Sequence, residues 1–108
     1  MIEVHMAYEL EPDINESTYF EWIKKAIVPA LKSDGIIEVR AYRNIKVSRG
    51  VLVVGVWKNL EDWITFSLSE GWQSLVNVLQ NSFAVNLRID VWGSSPFLPE
   101  PLRPVKQN

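Results

Sequence analysis

The chain has 108 residues, no cysteine and one histidine. Without cysteine there is no disulfide framework, no thiolate nucleophile and no zinc or iron–sulfur site built on sulfur. With His5 as the lone imidazole, the pair Glu3 and His5 offers two ligands where a metal centre needs more, so no metal is expected and His5 reads as a structural side chain. Positive charge is also short. Lys and Arg number 11 against 13 Asp and Glu, a formal net charge of -2, which gives no global field for phosphate backbones or anionic lipid. Neither nucleic acid nor a membrane surface is an expected partner. No stretch approaches the ~20 consecutive apolar residues of a membrane span. The opening "MIEVHMAYELEPD" mixes acids with apolar residues and lacks the basic-then-apolar layout of a secretory signal, so the expected location is the cytoplasm.

Apolar side chains are what the chain has in quantity. Hydrophobic residues make up 47% and charged residues 22%, the balance of one globular domain with enough material for a core. Even positions from Ile2 to Leu10 are apolar while Glu3, His5 and Glu9 alternate with them, the period of a strand. "EPDINEST" supplies turn formers and three possible helix caps, Asp13, Asn15 and Ser17. Phe20, Ile23, Ile27 and Leu31 then follow at helical spacing, with Pro29 predicting a break near Ala26 and Gly35 a stop. "IIEVRAYRNIKV" and "VLVVGVWK" flank the turn "SRG" and read as a hairpin. Asn59 is placed to cap a second helical region, which "SEG" at residues 69–71 divides into two segments. "FAVNLRIDVW" alternates as a fourth strand. Four prolines within "PFLPEPLRP" exclude regular structure in the remainder.

The order β-α-β-β-α-β is that of an α+β, ferredoxin-like sandwich, in which an antiparallel sheet carries both helical layers on one face. The common strand order 4-1-3-2 makes strands one and three central. The helices are expected to cover Ile2, Val4, Met6 and Tyr8 together with Phe83, Val85, Leu87 and Ile89. Strand three is apolar on both faces, Leu52, Val54 and Val56 on one parity and Val51, Val53, Gly55 and Trp57 on the other. Each large apolar side chain gains roughly 1.5 to 3 kcal/mol on burial, so a wet apolar row is costly. A second copy of the sheet covers it most simply, and Val51, Val53 and Trp57 are the expected interface of a homodimer.

"VLVVGVWKNLEDWITFSLSEGWQSLVNVL" resembles the antibiotic biosynthesis monooxygenase-like family of the dimeric α+β barrel superfamily. The resemblance rests on a strand followed by V-W-x-[ND/S]-x-E-x-[WF] and a bent helix with S-x-x-[WF], and extends more weakly over residues 2–92. It implies residues 1–92 as a dimeric α+β barrel domain, with residues 93–108 as a Pro-rich arm or tail. It also implies chemistry without metal or flavin on a small aromatic compound. Haem-degrading relatives use an Asn, a Trp and a His at places that here hold Met6, Phe66 and Val76, so haem cleavage is not implied. Quinol-oxidising relatives orient an acidic phenol with Asn, Trp, Tyr and Arg side chains.

Two readings stay open. In one, Tyr8, Asn59 or His5 handles protons while Tyr8, Trp63, Phe66 and Trp72 hold an aromatic substrate, with no cofactor. In the other, the chain is a non-catalytic dimeric binding or structural module, because 3-4 spaced aromatics also make ordinary cores.

Overall fold

The computed structural model describes residues 1–105. It begins with strand β1, Ile2–Leu10, and helix α1, Glu16–Ala26. Of the three possible caps, Asn15 is the one used, its side chain accepting a hydrogen bond from the Thr18 N–H. Pro29 has no N–H to continue the ladder, so the chain restarts as a single turn, α2, Val28–Leu31. Strands β2 (Ile36–Arg43) and β3 (Gly50–Trp57) follow. Asn59 caps α3 (Leu60–Ser67) by accepting from the Asp62 N–H at 2.8 Å, and Ser69 caps α4 (Glu70–Val78) by accepting from the Trp72 N–H. A π-helical turn, Leu79–Phe83, was not expected from the sequence; with more residues per turn than an α-helix it brings Leu79 and Phe83 to one side, and both are buried before β4, Ala84–Gly93, begins. Among the described residues no helix is long and apolar enough to cross a membrane.

The sheet is antiparallel in the order β2-β3-β1-β4, which is the expected ferredoxin-like arrangement. Its register decides what the periodicity of β3 left open. Val54 lies opposite His5 and Arg40, and Val56 opposite Glu3 and Glu38, so Leu52, Val54 and Val56 share the helix-free face with the polar residues. Val51, Val53 and Trp57 therefore point toward the helices, and their expected place in a dimer interface is corrected. Val51 and Val53 pack on the core around Leu79, and Trp57, 2% exposed, lies against Trp63 and Phe66.

The need for a covering sheet is revised as well. Val54 and Val56 are only 3% and 2% exposed in the single chain. Their cross-strand neighbours on this face are long polar side chains paired with one another, Glu3 with His5 on one side and Glu38 with Arg40 on the other.

A second departure lies in β4. Its register with β1 shifts between Ala7 and Glu9, and Asn86 takes φ +56 there, a region in which Asn is among the tolerated side chains. Beyond this bulge the alternation changes face. Val85 lies opposite Glu9 on the open side, not under the helices, while Ala84 takes the buried place. After Gly93 the chain is irregular, and Phe97, Leu98, Leu102 and Val105 stand exposed. The last part of the expected arm, residues 106–108, lies outside the described residues.

Candidate functional site

The space between sheet and helices is filled by two aromatic groups of different character. Toward one end, Tyr8, Tyr19, Trp22 and Phe83 stack edge to face and plane to plane, with ring centroids 5.1 to 6.5 Å apart. The Tyr8 and Tyr19 hydroxyls are hydrogen-bonded to each other. Burial pushes the Tyr8 phenol well above its ordinary range, and the bond to Tyr19 adds to this; burial also raises Tyr19, against the opposing pull of Tyr8. Both phenols stay protonated at neutral pH. Neither is available as a base there.

Toward the other end, Trp57, Trp63, Phe66 and Trp72 leave a partly open cleft of about 50 Å³. Its floor is Val4 and Met6 from β1, Val39 from β2, and Val53, Gly55 and Trp57 from β3. Its roof is Ile27 and Ala30 from the α1–α2 junction and α2, with Trp63 and Phe66 from α3 and Trp72 and Leu75 from α4. The Trp63 and Trp72 rings meet at 82° with centroids 4.9 Å apart, and Trp57 lies tilted on Phe66 at 5.3 Å, the geometries that aromatic quadrupoles favour. The lining side chains are apolar apart from the indole nitrogens. Among them is no carboxylate, imidazole, amide or hydroxyl.

Three of the four expected ligand-holding residues are thus brought together: Trp63, Phe66 and Trp72. Tyr8 is not with them, being engaged with Tyr19 in the other aromatic group. The expected proton-handling residues do not converge. Tyr8 is closed off, Asn59 is occupied as the cap of α3, and His5 stands on the open sheet face, 2.9 Å from Glu3 and with its ring 5.9 Å from Trp92. Among the described residues no group of three or more His, Asp and Glu side chains gathers as a metal site. Sequence reading missed Trp57 as a wall of the cleft and Tyr19 as the partner of Tyr8. A signal for Trp57 was present: it has the parity of Gly55, and a bare position in a strand next to a Trp marks room for the ring.

No protein-family model and no curated protein matches the chain. Solved structures do match. A protein assigned by name to the antibiotic biosynthesis monooxygenases, from Deinococcus radiodurans, superposes with a TM-score of 0.75 over 98% of this chain and 100% of its own, at 15% identity. SnoaB, a cofactor-independent oxygenase from Streptomyces nogalater, gives 0.74 over 92% and 97%, at 9% identity. The chain has the antibiotic biosynthesis monooxygenase-like fold. A conserved protein from Methanosarcina mazei Go1 shares the same fold, with a TM-score of 0.73 over 84% of this chain and 89% of its own, at 16% identity. At these identities the likeness is one of fold, and activity has to be argued from the site.

Proposed function

We propose that the protein is a cytoplasmic homodimer that binds a small, flat, uncharged aromatic molecule in the cleft walled by Trp57, Trp63, Phe66 and Trp72. The observation that carries this reading is an apolar space left open in the middle of an otherwise close-packed layer. Protein interiors rarely leave such room, and about 50 Å³ of unfilled core costs about 1 kcal/mol at ~24 cal/mol per Å³. Size limits the ligand. An apolar protein cavity of ~150 Å³ takes up benzene, about three times the room here, so the closed cleft holds no ring as it stands and one ring is the most that a small opening of its walls admits. Entry of one ring requires a wall side chain to give way, and the half-buried Trp72 is the wall residue with most freedom.

Pairing through the open sheet face is supported by Trp92 and Tyr42, 57% and 47% exposed on that face beside His5, Arg88 and Asp90. Aromatic residues of this kind are enriched at interfaces. A sedimentation mass of two chains at micromolar concentration is expected, and a mass of one chain contradicts the dimer.

A second reading has one observation in its favour, the structural likeness to a cofactor-independent oxygenase. In such chemistry the substrate supplies the electrons that reduce dioxygen, and ionising it calls for a base or a polar anchor at the ring. The cleft lining offers neither, so binding without turnover stands first. Thermal unfolding in the presence of benzene or phenol tests the two together. Binding predicts an upward shift of the midpoint with benzene; a ligand at 100 times its Kd adds ~2.7 kcal/mol. Absence of any shift with benzene contradicts the binding reading, and oxygen uptake on addition of phenol moves the oxygenase reading to first place.

A further inference from the structure

We infer that Gly55 sets the size of the molecule the cleft accepts, an inference that rests on the ligand-binding reading above. Gly55 sits in the interior of β3, paired with Val4 on one side and Val39 on the other. Its backbone is not in the left-handed region, where the one glycine is Gly35. Nothing in the main chain therefore calls for glycine. In a strand interior glycine weakens the sheet, since it adds backbone entropy to the unfolded chain and packs nothing. Its flanking residues, Val54 and Val56, show what this strand otherwise uses.

The space supplies the reason. A Cβ at Gly55 would stand 3.0 Å from the Trp57 Nε1 and 3.7 Å from its Cδ1, with no other atom within 4 Å beyond its own chain neighbours. The bare Cα thus does two things. It lets the Trp57 indole lie back along its own strand, and it leaves the floor of the cleft open beside that indole. A methyl group added there takes a large share of a space of about 50 Å³ and pushes Trp57 toward Phe66, which narrows the remainder. The ligand class follows: a single unsubstituted ring, lying flat on the floor at Gly55, with no charge, because no lining side chain compensates one.

Calorimetric titration of the full chain with benzene tests this, using four variants. Gly55→Ala is expected to weaken benzene binding at least tenfold. Gly93→Ala, where an added Cβ meets nothing within 4 Å, controls for the loss of a strand glycine and is expected to leave affinity unchanged. The alternative is that Gly55 serves only the packing of Trp57, and the pair Trp57→Phe and Gly55→Ala/Trp57→Phe separates the two. Phenylalanine keeps a ring carbon near the Cδ1 position but has neither the Nε1 that the methyl strikes nor the fused ring, so its smaller ring has room to turn clear of the methyl, which still occupies the floor. The double variant is expected to bind at least tenfold more weakly than Trp57→Phe alone, even if Gly55→Ala fails to fold. Equal affinity of that pair, or full affinity in a folded Gly55→Ala, overturns the role of Gly55 and leaves the binding reading intact. Absence of benzene binding in the unaltered chain overturns both.

Discussion

The two aromatic groups under the helices are built from the same materials and end in opposite states. Around Phe83, the rings of Tyr19 and Trp22 close on one another and the two phenols satisfy each other, so the space is filled. Around Trp57, three indoles and the Phe66 ring meet at 31° to 82° and leave a gap. The difference lies in what stands beneath. Under the first group the sheet presents Tyr8, a side chain that rises into the layer, with Met6 at the border of the two groups, and the π-helical turn brings Leu79 and Phe83 onto that end. Under the second it presents Gly55, which rises not at all. A bare position on a central strand leaves room beside Trp57 that a side chain would take up.

Substitutions that break this contrast differ in size. Removing Trp57 affects the open end most: Trp57→Ala deletes a side chain 2% exposed and is expected to cost about 3 to 5 kcal/mol, read by urea unfolding. Filling is the sharper comparison. At the closed end, Ala84→Leu forces extra atoms into a site 4% exposed and is expected to cost about 1 to 3 kcal/mol. At the open end, Val39→Ile adds one carbon toward the unfilled space and is expected to raise stability, by about 0.5 kcal/mol. If both fillings destabilise equally, the two ends do not differ in packing.

The phenol pair gives the closed end a pH signature. Tyr8→Phe keeps the ring but leaves the Tyr19 hydroxyl without its partner, an expected loss of about 1 kcal/mol at neutral pH. Both folded phenols lie above the ordinary value of 10.0. Above that pH the unfolded chain releases protons that the native chain retains, so stability is fully present below pH 10 and is lost as pH rises beyond it. The unaltered chain is expected to lose stability with pH more steeply than Tyr8→Phe from there upward. Parallel pH profiles contradict the buried pair.

Much of this was legible in the chain itself. Asn59 followed by Asp62, Pro29 within a helical stripe and the β-α-β-β-α-β order each state a local rule that the fold obeys. The facing of β3 was not legible, because Val51 to Trp57 is apolar on both parities and only its pairing with Glu3, His5, Glu38 and Arg40 shows which side is open. The same pairing sets those long polar side chains beside Val54 and Val56, which are buried in the single chain. The place of Tyr8 was hidden for a different reason: alternation along β1 fixes which face a side chain is on, not which end of the helix layer it meets. The bulge at Asn86 left no mark on the alternation of β4, since Val85 and Leu87 look equivalent until the register with β1 shifts between them.

The most direct measurement is electron density from a crystal of the full chain exposed to benzene. One ring lying between Gly55, Trp57 and Phe66 is expected, and none beside Tyr8 and Tyr19. Density at neither end, or density at the phenol pair with the Gly55 floor empty, would contradict it.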